Sequence, residues 1–324
     1  MPIFEMPLEE LRRYTGINEC PTDIDAYWDR AITEMEALGT DCVLEPAKFQ
    51  VRGVACYEMT FTGVGGARIH ARFAKPAQMK GRMPAICRFH GYSGDCGAFA
   101  ELLHWTAAGF AVASMDCRGQ GGSSQDNAAV RGNTLHGHII RGLDEVSADR
   151  LYYRSVFLDA AQLARVVMAM DDVDETRVCA EGASQGGGLT LACAALTPKL
   201  CCATPKCPFL SDYRRVWEMD LAEEAYLELR EYFRHFDPRH EREKEIFTKL
   251  GYIDVKNIAH RIRSDVMQFT GLADKICPPS TQFAAYNRIR SKKEIVIYPD
   301  FAHEYYPDSD DIAMRFICEK TGML

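Results

Sequence analysis

The chain has 324 residues, 47% hydrophobic and 26% charged, which is enough apolar material for a sizeable core and too much for a disordered chain. Lys and Arg number 38 against 46 Asp and Glu, a net charge of -8 with no basic run long enough to track phosphates, so nucleic acid is not an expected partner. No stretch approaches ~18 consecutive apolar residues, and residues 1–16 are broken by Glu5, Glu9, Glu10, Arg12 and Arg13; neither a membrane span nor a signal peptide is expected, and the expected location is cytoplasmic.

A charged N-terminal arm, residues 1–50, carries Trp28 and Met35 and reads as helical. Residues 54–61 and 67–74 are strand-like runs separated by Gly63, Gly65 and Gly66, which predicts a hairpin. From there strand and helix alternate: an apolar run at 85–89, a helical stretch at 98–108, an apolar run at 110–115, a helix at 152–170, a strand at 177–180, a helix at 185–196 and a strand near 201–203. Residues 211–250 break the rhythm, being rich in Glu, Arg, Tyr and Phe at helical spacing, and read as a helical insertion. Alternation resumes with a strand at 265–270, a helix opening at Pro278 and Pro279, a strand at 294–298 and a closing helix at 308–319. Such alternation predicts an α/β fold, a mostly parallel sheet covered by helices on both faces, in a single domain. The 13 cysteines are scattered, odd in number and without a C-x-x-C pair, so no disulfide framework or zinc ribbon is expected. Cys87, Cys117, Cys179 and Cys193 sit in apolar runs, where cysteine packs as a small hydrophobe.

Gly182-Ala183-Ser184-Gln185-Gly186 fits G-x-S-x-G where a strand ends and a helix begins, the context that pushes the serine out above a sheet. Ser184 would then sit at a helix N-terminus, where free N–H groups favour a developing oxyanion. No G-K-S/T phosphate loop and no G-x-G-x-x-G after a strand are present, so no nucleotide cofactor is expected. A serine needs a histidine to take its proton and a carboxylate to orient that histidine, in the chain order serine, acid, histidine on this kind of fold. Asp274 follows the strand 265–270 and His303 follows the strand 294–298, both on the sheet edge that carries Ser184. His235 and His240 lie in the charged insertion and His260 in an Arg-rich helical stretch; Asp300 and Glu304 stand too near His303 in sequence to reach around to its ring. The loop after 85–89, His90-Gly91-Tyr92-Ser93-Gly94, offers the second oxyanion donor, so the backbone N–H groups of Tyr92 and Gln185 are the expected pair, with His90 bracing the loop. His136-Gly137-His138 lacks a third ligand at metal spacing and reads as a loop.

Arg118-Gly119-Gln120, the Gly182 to Gly186 elbow and His303-Glu304, in that order, resemble the acetyl xylan esterase and cephalosporin C deacetylase group, carbohydrate esterase family 7. His90-Gly91-Tyr92, Tyr152-Tyr153-Arg154, Pro208-Phe209-Leu210 and 276–280 are similar as well, so the likeness spans most of the chain. The resemblance implies an α/β-hydrolase fold and a cofactor-free serine esterase that deacetylates small sugars and cephalosporin C. It also implies Ser184 as nucleophile, His303 as base, Asp274 as acid, Tyr92 and Gln185 as oxyanion donors, and a homohexamer with sites facing an internal cavity. Arg118 and Gln120 would organise the elbow without taking part in bond breaking. Glu181, Lys275 and Tyr305-Tyr306 depart from the family pattern, which bears on substrate preference more than on reaction type. Two rivals stand beside this reading. A peptidase or general short-chain esterase shares the fold, though a peptidase would need a sieving domain that is not evident in the chain, and a noncatalytic relative would normally have lost a triad member.

Overall fold

The computed structural model describes residues 5–131 and 138–324, so His136 of the 136–138 loop lies outside the described residues. The strands β1 (Cys42–Pro46), β2 (Val54–Thr62), β3 (Arg68–Pro76), β4 (Met83–Phe89), β5 (Ala111–Met115), β6 (Val173–Ala183), β7 (Cys202–Lys206), β8 (Asp265–Gly271) and β9 (Lys293–Tyr298) form one sheet, ordered β1-β2-β3-β5-β4-β6-β7-β8-β9. The predicted hairpin is β2 and β3, antiparallel from Val54↔Pro76 to Thr62↔Arg68. β5 is the joint of the sheet: it pairs antiparallel with β3 and parallel with β4, and every pair from β4 to β9 is parallel.

The arm is not wholly helical. It contains α1 (Leu8–Leu11) and α2 (Ile24–Glu36), but residues 42–46 form the edge strand β1 on β2, a strand absent from the sequence-based prediction. Cys42 and Leu44 pack partly against the core, but the outward face carries the apolar Val43, so the sequence shows no apolar–polar alternation there; Pro46 is tolerated because an edge strand need not donate on both sides. The arm is stitched down through polar contacts: Trp28 Nε1 donates to the Tyr252 carbonyl, and the buried Lys256 Nζ donates to the Asn18 carbonyl at 2.6 Å.

Helices cover both faces, as side-chain alternation along the central strands demands. On β4, Ala85, Cys87 and Phe89 pack with α4 (Tyr152–Met168) and α5 (Gln185–Leu196). Ile86 points the other way, into a layer with Trp105 of the short α3 (Leu103–Ala107) and Phe316 of α11 (Ser309–Thr321). Between β7 and β8 stand α6 (Tyr213–Glu218), α7 (Leu227–Phe236), α8 (Glu243–Leu250) and α9 (Val255–Ile258), and α10 (Pro279–Arg288) follows β8 with Pro279 in its first turn. α5 is buried on all sides because its first residues are glycines lying against backbone.

One ion pair sits inside this frame. Arg118, 2% exposed, donates from Nε and Nη2 to both carboxylate oxygens of Asp159 on α4 at 2.6 and 2.7 Å, and from Nη2 to the Val64 carbonyl at 3.1 Å. Removing the guanidinium leaves a buried carboxylate without its partner, which costs roughly 3–5 kcal/mol. Arg118→Ala is therefore expected to lose about that much in a denaturant titration, and Arg118→Lys to recover only part of it because an ammonium cannot form the bidentate pair. Unfolding curves matching the parent would show that the pair does not hold the frame together.

Candidate active site

Loops leaving the carboxyl ends of the parallel strands β4 to β9 build the site. The tightest carries Ser184, which has φ 58° and ψ -120°, a conformation an L residue adopts only under constraint. The constraint is steric. A Cβ at Gly182 would lie 2.6 Å from the Gly186 carbonyl carbon and 2.7 Å from the Phe89 carbonyl oxygen, and a Cβ at Gly186 would overlap that same Phe89 oxygen. Only glycine at both places lets the elbow sit on β4, and the turn then exposes the Ser184 hydroxyl.

The structure brings Ser184, His303 and Asp274 together in a chain of hydrogen bonds. His303 Nε2 is 2.9 Å from Ser184 Oγ, and His303 Nδ1 is 2.8 Å from Asp274 Oδ2. An ionised carboxylate only accepts, so Nδ1 carries the ring proton and Nε2 offers a lone pair to the serine hydroxyl. Asp274, fully buried, has its other oxygen held by the N–H groups of Ile276 and Cys277 at 2.9 and 2.8 Å, while Gln282 Nε2 donates to Oδ2 at 3.1 Å. Burial pushes the His303 imidazolium down, but the hydrogen bond to Asp274, with further contributions from Cys207 and Cys277, reverses this and raises the His303 pKa above its ordinary 6.5.

Tyr92 and Gln185 flank the serine from two sides. Gln185 is the first residue of α5, so its N–H has no intrahelical acceptor, and the Tyr92 N–H has no acceptor among the described residues. The Gln185 side chain faces down into a buried polar knot. Its Oε1 accepts from Gln120 Nε2 and Tyr153 OH at 2.8 Å each, and its Nε2 donates to Gln120 Oε1 at 3.0 Å. Gln120 Oε1 also accepts from the Ser93 N–H at 3.1 Å, and Tyr152 OH donates to the Arg118 carbonyl at 2.5 Å. Arg118 and Gln120 thus lie beneath the elbow rather than in the cleft. His90 also turns inward: Nε2 accepts from the Cys117 N–H at 3.0 Å, so the protonated Nδ1 donates to the Gly91 carbonyl at 2.7 Å, and burial holds its pKa below the ordinary value.

Ser184 and His303 open onto a cleft of about 580 Å³, also lined by Arg88, Tyr92, Glu181, Lys206 and Tyr306. That volume falls within the range of small-molecule sites, roughly 300–1,000 Å³. As for metals, one cluster of three possible ligand atoms within 4.8 Å of one another, Cys207, Asp274 and His303, overlaps the hydrogen-bonded chain and has two of its members engaged there.

The acetyl xylan esterase (AXE1) family matches residues 1–320. The chain belongs to the acetyl xylan esterase family. It is similar over 98% of its length to the crystal structure of acetyl xylan esterase 1 from Thermoanaerobacterium sp. JW/SL YS485, at 57% identity and a TM-score of 0.95, covering 99% of that chain. The acetyl xylan esterase from Paenibacillus sp. R4 is 34% identical with a TM-score of 0.91, over 96% of this chain and 99% of the other. The acetyl esterase Axe7A of Xylanibacter ruminicola is 26% identical over 309 residues, 91% of this chain, and the chain spans 65% of that relative's length. The family is one of carboxylic ester hydrolases on the α/β-hydrolase fold.

Glu181, Tyr305 and Tyr306, which the sequence reading set apart, have definite places. Glu181, in the cleft wall, accepts from Trp105 Nε1 at 3.0 Å with Arg88 Nε 3.9 Å away. Tyr305 is exposed, whereas Tyr306 is buried and its hydroxyl accepts from the Gly271 N–H at 3.0 Å, bracing the strand that leads to Asp274. Sequence reading missed Glu228. This carboxylate on α7 is 1% exposed and accepts from Tyr92 OH and from the N–H groups of His138, Ile139 and Ile140. Burial raises its pKa, against the pull of these donors. The available signal was its position, on the buried face of α7 beside Leu229 and Tyr232.

Glu228 fixes the side chain of the residue whose N–H stands beside Ser184. In Glu228→Gln an amide replaces one acceptor oxygen among four donors, so the Tyr92 loop should shift. The expected result is a fall of about 10-fold in kcat with KM nearly unchanged, a fraction of the 10²–10³ lost when an oxyanion donor is removed outright. Steady-state kinetics on an aryl acetate reads this, and an unchanged kcat would show that Glu228 does not position the loop.

Proposed function

We propose that this chain is a serine esterase that removes O-acetyl groups from small acetylated sugars through an acyl-serine intermediate, without a cofactor. The observation that carries the reading is the hydrogen-bonded chain Ser184, His303, Asp274, hung on a strained elbow at the carboxyl edge of the sheet. In this mechanism Ser184 Oγ attacks the acetyl carbonyl as its proton passes to His303 Nε2. Asp274 keeps the ring in the required tautomer and stabilises the imidazolium. The developing oxyanion is held by the N–H groups of Tyr92 and Gln185, the latter aided by the partial positive charge at the start of α5. His303 then gives its proton to the departing sugar hydroxyl, and a water activated by the same ring releases acetate.

Support for a sugar alcohol comes from the cleft wall. Arg88 lines it with a partly exposed guanidinium, a donor group suited to hydroxyl or ring oxygens. Family resemblance supports two further parts of the proposal: cephalosporin C as a second acetyl substrate, and a homohexamer in which polymers are kept from the sites. Cytoplasmic residence is part of the same proposal; among the described residues no helix is long and apolar enough to cross a membrane.

Ser184→Ala is expected to fold normally and to lose on the order of 10⁶-fold in kcat, as in comparable triads. Asp274→Asn should keep the geometry, favour the wrong tautomer and lose roughly 10⁴-fold. More than a few per cent residual activity in purified Ser184→Ala would remove the serine from its role.

The pH profile follows from the raised His303 pKa. The protonated ring cannot accept the serine proton, so activity is lost as pH falls through that raised value, and kcat/KM should climb with pH through a midpoint above 6.5. In the residual activity of Asp274→Asn the midpoint should move down. A profile flat between about pH 5 and 9 would argue against a histidine base.

Size selection tests the substrate class. p-Nitrophenyl acetate should be preferred to butyrate and octanoate, each longer acyl chain overfilling the pocket at ~1–3 kcal/mol. Acetylated xylose and xylo-oligomers should be cleaved faster than acetylated xylan, with light scattering reporting the size of the native particle. A monomer that prefers octanoate, or one indifferent to polymer length, would refute the reading.

A further inference from the structure

Away from the serine, three thiols form a triangle between two neighbouring parallel strands. Cys179 of β6 and Cys202 of β7 are register partners, with their sulfurs 3.3 Å apart. Cys201, the residue before β7, brings a third sulfur, and all three lie within 4.8 Å of one another. Cys179 and Cys202 are fully buried, beside Met267 and Phe316 in the apolar layer under α11. Cys201 is half-buried, its thiol 3.5 Å from the Lys320 carbonyl, and gives the triangle one face reachable from solvent. The esterase mechanism uses none of the three.

Strand pairing fixes this arrangement, because two of the donors are locked in register on adjacent rungs and the third is their sequence neighbour. A metal at the centre of three thiolates, with metal–sulfur bonds of about 2.3 Å, needs the sulfurs about 4 Å apart. Sulfurs that all lie within 4.8 Å of one another meet that need with sub-ångström adjustment. Among the described residues the cluster contains no fourth ligand, which disfavours tetrahedral Zn(II), and its donors are all soft. Apolar side chains close the triangle on the side of Cys179 and Cys202, away from the solvent-reachable face at Cys201. We propose that Cys179, Cys201 and Cys202 form a binding site for a thiophilic monovalent cation, Cu(I), held by three thiolates.

The protonation of the cluster agrees with that geometry. Cys201 is the only half-buried member of the three, so its sulfur meets the ion first; hydrogen bonds with the Cys179 and Cys202 thiols, and the Lys320 charge, lower its pKa. Burial holds the Cys179 thiol in its protonated form. As each sulfur–copper bond forms, the thiol's remaining proton leaves to solvent, and nothing is oxidised or reduced. The resulting site is anionic and lies beside the ammonium of Lys320, which is anchored to Asp265 at 2.5 Å.

The test uses the whole reduced protein, titrated without oxygen with a Cu(I)–acetonitrile complex against a chromophoric Cu(I) chelator, beside Cys201→Ser and, as a control, the exposed thiol variant Cys20→Ser. Wild type and Cys20→Ser should retain one more equivalent of copper after desalting than Cys201→Ser, whose affinity for that ion should fall on the order of 100-fold or more. X-ray absorption at the copper edge of the one-equivalent wild-type complex should show three sulfurs at about 2.3 Å and no lighter ligand. Copper retained equally by wild type and Cys201→Ser, copper retained by neither, or an absorption spectrum with two sulfurs or with oxygen ligands would each overturn the site.

Discussion

The approach of α5 to the last carbonyl of β4 is the contact on which the rest of the site depends. A methyl group at Gly186 would overlap the Phe89 oxygen, and one at Gly182 would press on both Phe89 and Gly186. With hydrogen in both places the elbow closes, Ser184 is driven to positive φ, and Ser184 N–H bonds to the Lys206 carbonyl at 3.0 Å. That one close approach sets three things at once: the exposure of the hydroxyl, the start of the helix whose first N–H is free, and the distance between the elbow and the His90 to Gly94 loop. A static turn of this kind needs no reorganisation when charge develops on the substrate, which is where preorganised donors are most effective.

Strain at the elbow is tolerated because the layer beneath it is saturated with hydrogen bonds. Gln185 ties the elbow to Gln120, to Tyr153 on α4 and, through Gln120, to the backbone of Ser93. Arg118 then ties the loop carrying Gln120 to Asp159 on the same α4. Each buried donor or acceptor left alone would cost about 1–3 kcal/mol, so this network resists partial opening. The Arg-Gly-Gln motif therefore reads as foundation. Its arginine holds a helix against the loop that follows β5, and its glutamine holds Gln185, the neighbour of Ser184.

Much of this was legible in the sequence, for physical reasons that differ from element to element. Apolar runs exposed β4, β5, β7 and β8 because both faces of these strands are covered, and β9, an edge strand, through its run Ile295-Val296-Ile297-Tyr298. Ser184, Asp274 and His303 were found because the fold imposes a chain order and places each at a carboxyl strand end. β1 was missed because an exposed edge strand has no apolar alternation to betray it. Glu228 and Gln282 were missed for the opposite reason: each acts through a partner distant in sequence, Tyr92 for one and Asp274 for the other. Composition within a helix does not say which loop a buried polar residue will reach.

The charges of the cleft wall illustrate the same point and bear on what the cleft can admit. Glu181 lies three residues before Ser184 and Lys206 closes β7, so opposite charges stand on the cleft wall. In the folded chain each is engaged with a separate partner. Glu181 is held by Trp105 and faces Arg88, Arg88 reaches Glu101 at 3.0 Å, and Lys206 pairs with Asp310. Each pair keeps its hydrogen-bonding groups, but the lining as a whole carries five carboxylates, Asp95, Glu101, Glu181, Glu304 and Asp310, against the two cations Arg88 and Lys206. An alcohol bearing a further negative charge would meet that excess, whereas a neutral polyhydroxylated one can donate to the carboxylates and accept from the partly exposed Arg88 without breaking a pair. The acidic excess around Ser184 is therefore a reason, independent of resemblance, for an uncharged sugar to suit the site.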